Sequence, residues 1–129
     1  MATEHFVIVV ADDNPQINSF LSDLLCEEGY QVLCCFSGEA ALRIIQRVTP
    51  DVAILDMQME TRDAGLKVLE QLRQHPETAR VSVIICSADA PFLEAKKKDI
   101  TACGGEIVYK PFELPHLLAT IEQVLMATL

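Results

Sequence analysis

Runs of consecutive apolar residues alternate along this chain with stretches whose apolar positions recur every three or four residues. The first run, Phe6-Val7-Ile8-Val9-Val10-Ala11, stops at Asp12-Asp13. Val52-Ala53-Ile54-Leu55 stops at Asp56, and Val81-Ser82-Val83-Ile84-Ile85-Cys86 stops at Ser87. A short apolar run of this kind is the signature of a strand buried on both faces, as in a parallel sheet. Two shorter strands, Gln31 to Phe36 and Glu106 to Tyr109, complete the set, the last ending at Lys110-Pro111.

The segments between the runs predict helices. Asn14 caps the first, with Pro15 in its opening turn, and Ile17, Phe20, Leu21, Leu24 and Leu25 form its apolar face up to Gly29. Ser37 caps the second, whose face is Ala40, Ala41, Ile44, Ile45 and Val48 and which Pro50 ends. A polar loop from Met57 to Ala64 precedes a helix through Leu66, Val68, Leu69 and Leu72 that ends near His75-Pro76. Ala90 to Ala102 reads as one helix, the least apolar, with Lys96-Lys97-Lys98 on a solvated face before Gly104-Gly105. Leu114, Leu117, Leu118, Ile121 and Leu125 mark the last helix. Five strands alternating with five helices specify an α/β fold, a doubly wound five-stranded parallel sheet of order 2-1-3-4-5 with right-handed crossovers. The expected organisation is a single domain over residues 1–129.

Charge and cysteine usage narrow the partners. A net charge of −9 argues against direct binding to nucleic acid or an acidic membrane. Five cysteines without a C-x-x-C pair read as reduced thiols of a cytoplasmic protein. No run of 18 apolar residues exists, and Met1 to Glu4 carry no basic segment leading into an apolar one. The expectation is a cytoplasmic chain with no membrane contact.

The chemistry lies at the strand ends, the edge where open α/β sheets bind ligands. In the order 2-1-3-4-5, Asp56 stands between Asp12-Asp13 and Ser87, and Lys110 reaches back from one strand further out. Taken singly, each residue also suits a cap or a turn; the ordered set points elsewhere. Three adjacent carboxylates repel and call for a cation, and hard oxygen donors suit Mg²⁺. A metal, an ammonium group and a hydroxyl together neutralise a phosphoryl group, whose transfer needs chiefly positioning and charge stabilisation. Asp56 is the nucleophile that fits, forming an aspartyl phosphate.

Asp12-Asp13, Asp56, Ser87-Ala88 and Lys110-Pro111-Phe112 together resemble the receiver domain of two-component response regulators, chemotaxis-regulator-like in kind, over essentially the whole chain. The resemblance implies a flavodoxin-like fold in which Asp56 accepts a phosphoryl group from the phosphohistidine of a sensor histidine kinase or phosphotransfer protein. It implies Mg²⁺ held by Asp13 and Asp56 directly, by Asp12 through water and by the Gln58 carbonyl. Ser87 would hydrogen-bond the phosphoryl oxygen, Lys110 would pair with it, and Gln58 and Asp89 would tune dephosphorylation. The chain would catalyse only its own phosphorylation and dephosphorylation, and would act through partners or as a homodimer, alone or as a fragment of a longer regulator or hybrid kinase.

Three departures stand out. Glu60 occupies the position where the family usually has proline, Gly65 follows Asp56 by nine residues rather than eight, and Ile107 occupies the usual aromatic switch position. Glu60 and Asp63 read as solvated charges, and His5, His75 and His116 carry no role. Two other functions compete with this one. A haloacid-dehalogenase-type phosphatase needs an aspartate where Gln58 stands. A receiver-fold interaction module with little phosphorylation-driven switching accommodates Ile107 and the lengthened loop.

Overall fold

The computed structural model describes residues 6–127; His5 and Met1 to Glu4 lie outside the described residues. Five strands, β1 (Val7–Ala11), β2 (Gln31–Cys35), β3 (Val52–Asp56), β4 (Ser82–Ser87) and β5 (Gly105–Tyr109), form one sheet of order β2-β1-β3-β4-β5. Every pairing is parallel, as the apolar runs require. Between them run α1 (Pro15–Glu27), α2 (Gly38–Val48), α3 (Ala64–Gln74), α4 (Ala90–Ala95), α5 (Lys97–Ala102) and α6 (Leu114–Ala127).

The two-residue period of the strands divides the core into two layers. Val9, Ala53, Leu55, Val83 and Ile85 pack against Ala41 and Ile45 of α2, Leu69 and Leu72 of α3, and Leu93 and Ile100. Ile8, Val10, Ile54, Ile84 and Val108 pack against Leu21 and Leu25 of α1 and Leu117, Ile121 and Leu125 of α6. Each large aliphatic side chain fully buried in this way contributes about 1.5–3 kcal/mol. Asp12, Asp56 and Lys110 each follow by two residues a member of the second layer, Val10, Ile54 and Val108. The alternation that builds the core therefore turns all three toward the same side of the sheet.

Capping follows the sequence. The Asn14 side chain accepts from the N–H groups of Gln16 and Ile17, and Ser37 Oγ accepts from Ala40 N–H. The segment expected as one helix from Ala90 to Ala102 is instead two, so that the described residues hold six helices. Lys96 adopts φ −99° and ψ 2°, between the helical and extended regions, and separates α4 from α5. Each half buries one side chain, Leu93 or Ile100. So short and polar a helix has little packing to enforce continuity. Strand ends shift by a residue: β4 starts at Ser82 rather than Val81, and β2 stops at Cys35. All five cysteines are free, and Cys34 and Cys35 face opposite layers. Burial pushes the Cys35 thiol up to about 11. Among the described residues no helix is long and apolar enough to cross a membrane.

Candidate functional site

The sheet order sets three strand ends side by side. Asp12 directly follows β1, Asp56 closes β3 and Ser87 closes β4, and all three are buried. One residue past β5, Lys110 donates its backbone N–H to the Ser87 carbonyl (2.9 Å), which carries the ladder beyond the strand. Its Nζ then lies 2.6 Å from Asp12 Oδ2 and 3.4 Å from Asp56 Oδ1. The Lys110–Pro111 peptide bond is cis.

Asp12, Asp13 and Asp56 each present a carboxylate oxygen, all within 4.8 Å of one another. Asp13 is exposed while the other two are buried, so the cluster opens to solvent on one side. Burial pushes the Asp56 carboxyl up to about 6; Lys110 opposes this shift, and Asp12 and Asp13 reinforce it. For Lys110, burial disfavours the charge, but the hydrogen bond to Asp12 and the charges of Asp56 and Asp12 outweigh it and raise its pKa. One ammonium among three carboxylates leaves an excess of negative charge around hard oxygen donors. These residues fit Mg²⁺, which is held by few protein oxygens and keeps waters on its open side.

The wall behind Asp12 depends on a residue that sequence reading missed. Asn18, buried in α1, donates its side-chain amide to the carbonyls of Asp12 (2.6 Å) and Cys35 (2.9 Å), tying the ends of β1 and β2 to the helix. Its spacing was the available signal, because Asn18 shares a helix face with buried Leu21 and Leu25. Asp12 Oδ1 accepts from Asn14 N–H (2.9 Å), so Asp12 both caps its own turn and faces the pocket.

The opposite wall is the lengthened loop between β3 and α3. Gly65 N–H donates to the Met57 carbonyl, and a Cβ at Gly65 would lie 2.6 Å from the Asp56 carbonyl oxygen. Only glycine lets α3 start this close to the end of β3, and the extra loop residue has not changed that requirement. Glu60 is exposed, as a solvated charge should be, but it also bonds the start of α2. Its two carboxylate oxygens accept from the N–H groups of Gly38 (2.7 Å) and Glu39 (3.0 Å) at the start of α2. Burial raises its pKa, but these N–H donors more than offset that and hold the carboxyl below its ordinary range. Asp63 is half-buried, accepting from Thr61 Oγ1 and pairing with Lys67.

At the mouth, Gln58 Nε2 donates to Asp89 Oδ2 (3.3 Å), and Arg62 donates to the same oxygen (3.2 Å). Ser87 Oγ accepts from Asp89 N–H (3.0 Å). Ile107 is half-buried against the α2–α3 layer of the core, and the Tyr109 hydroxyl reaches outward to hydrogen-bond Glu94. The structure thus brings Asp12, Asp13, Asp56, Ser87 and Lys110 together, with Gln58 at the rim.

A parallel sheet of this order with an acidic cluster and a lysine at its carboxyl edge defines a receiver architecture. The model of the response regulator receiver domain matches residues 8–122, and the chain belongs to that family. It is 30% identical over 118 residues to the phosphate regulon transcriptional regulatory protein PhoB of Rhizobium meliloti (strain 1021), covering 92% of this chain and 51% of PhoB. The chain spans about half the length of the curated relatives it matches. Among solved structures it is similar to the receiver domain of the Francisella response regulator 1452, with TM-score 0.83 and 27% identity over 97% of this chain and all of that one. The chemotaxis response regulator CheY4 of Vibrio cholerae gives TM-score 0.82 and 25% identity over 92% of this chain and 98% of that one.

Proposed function

We propose that this chain is the phosphoacceptor of a two-component phosphorelay, with Asp56 taking a phosphoryl group from the phosphohistidine of a sensor histidine kinase or phosphotransfer protein. The observation that carries this reading is the convergence of Asp12, Asp13 and Asp56 within 4.8 Å, with Lys110 paired to two of them. An Asp56 carboxylate oxygen attacks phosphorus, the P–N bond to the donor histidine breaks, and its electron pair stays on the imidazole. Lys110 is already placed against Asp56 and can follow the charge onto the phosphoryl oxygens. Ser87 Oγ accepts from Asp89 N–H, which leaves its own proton for a phosphoryl oxygen. Asp13 and Asp56, with Asp12 through water and the Gln58 carbonyl, are the proposed ligands of Mg²⁺, which when bound neutralises negative charge. The chain then acts as a cytoplasmic switch that changes partner binding or self-association and catalyses only its own modification and its reversal.

One observation favours a second reading, a receiver-fold interaction module that switches little. Ile107 is apolar and packed against the core, so it has no polar tip to move between buried and exposed positions. Intact mass after incubation with acetyl phosphate and Mg²⁺ tests the phosphoacceptor. The expected result is a gain of one phosphoryl group, absent in Asp56→Asn and absent without divalent cation. A phosphorylated chain whose elution volume and partner affinity do not change would favour the module; no modification under any condition would overturn the phosphoacceptor reading.

A further inference from the structure

Arg62 lies in the lengthened loop, at a position that no role described above uses. It is held from two sides: its guanidinium donates to Asp89 Oδ2 (3.2 Å) and stacks over the Phe92 ring, 4.1 Å from the centroid. Both oxygens of Asp89 are in turn engaged. Its Oδ1 accepts from Phe92 N–H (3.2 Å) at the start of α4, and its Oδ2 accepts from both Gln58 Nε2 and Arg62. A carboxylate oxygen has two lone-pair sites, so Oδ2 has none left for a third donor. Asp89 N–H is bonded to Ser87 Oγ, which ties this carboxylate to the strand end beside Asp56.

We infer that Arg62 is a positioning residue that prolongs the aspartyl phosphate by occupying the oxygen of Asp89 that would otherwise orient a hydrolytic water. The inference rests on the phosphoacceptor reading and extends it to how long the signal lasts. In hydrolysis a water oxygen attacks phosphorus and the P–O bond to Asp56 breaks. The carboxylate leaves with the electron pair, and the water's proton leaves with inorganic phosphate or solvent. An acceptor at the pocket mouth favours this step by holding and polarising the water. With Arg62 and Gln58 both donating to Oδ2, that oxygen is blocked. Removing Arg62 frees one lone pair beside Gln58 and leaves Asp89's cap on α4 intact.

The test uses the full chain, phosphorylated with acetyl phosphate and Mg²⁺ and then freed of the donor, with decay followed by intact mass. Arg62→Ala is expected to shorten the phosphoryl half-life about three- to tenfold. Arg62→Lys, which keeps the charge but not the planar fork, should fall between the two. The deciding arm is Asp89→Asn, whose amide oxygen can still cap α4 while its nitrogen cannot accept. In that background Arg62→Ala should give no acceleration, whereas a loop merely loosened by the loss of Arg62 would accelerate decay in both. An unchanged half-life in Arg62→Ala, or acceleration that persists with Asp89→Asn, overturns the inference while leaving the phosphoacceptor standing. Failure of the wild-type chain to take up a phosphoryl group overturns both.

Discussion

On one side of Asp56, buried Asp12 and Asn18 and half-buried Lys110 are joined by contacts of 2.6 Å; on the other, Gln58, Arg62 and Asp89 meet at 3.2–3.3 Å at a partly solvated rim. The first wall consists of groups that cannot be released without leaving a buried charge or carbonyl unpaired. The second consists of surface pairs that water replaces at small cost. The difference separates two requirements. Chemistry at Asp56 needs fixed charge, and the inner wall supplies it. On the reading proposed for Arg62, the rate at which the modified state decays is set where replacement is cheap, so the rim can vary without endangering the fold.

Substitutions on the two walls should therefore differ in kind. Asn18→Ala should cost about 2 kcal/mol in urea denaturation, because the buried Asp12 carbonyl loses its amide donor. Asp56 should make a comparable contribution through pH. In metal-free buffer its folded pKa of about 6 lies above its ordinary value, so the folded state holds a proton that the unfolded state releases. Its contribution is thus most favourable below pH about 4 and declines as pH rises through about 6, by on the order of 2 kcal/mol. The difference in stability between wild type and Asp56→Asn, measured against pH with EDTA, should show this slope, and Mg²⁺ should abolish it.

Glu60→Ala, on the loop wall but bonded to the start of α2, should cost about 1 kcal/mol. The sign of its pH dependence is opposite to that of Asp56. A carboxyl lowered in the folded state stabilises above its unfolded pKa, and that stability is lost as pH falls through the folded value. Arg62→Ala should leave stability within about 0.5 kcal/mol of wild type, since its ion pair and stacking are largely exposed. A stability loss at Arg62 as large as that at Asn18 would erase the distinction between the walls.

Strand positions were the most legible part of the sequence, because a strand buried on both faces admits no polar residue until it ends. β3 reads as Val52–Asp56 in sequence and in structure alike. The same logic located Asp12, Asp56, Ser87 and Lys110, which the sheet order then assembled. What escaped were contacts across long separations. Glu60 lies 22 residues from Gly38, and nothing local marks its carboxylate as a cap for another helix. Asn18 was hidden because a lone polar residue in an amphipathic helix looks like its solvent face, although its spacing from Leu21 and Leu25 placed it inside. The interruption at Lys96 had no glycine or proline to announce it.

Borohydride trapping tests the central claim most directly. Reduction of an acyl phosphate converts the modified aspartate to homoserine, which peptide mass mapping locates. After phosphorylation in Mg²⁺, homoserine is expected at Asp56 alone. Homoserine at Asp12 or Asp13, or its absence from a chain that has gained phosphoryl mass, would contradict the assignment of Asp56 as the nucleophile.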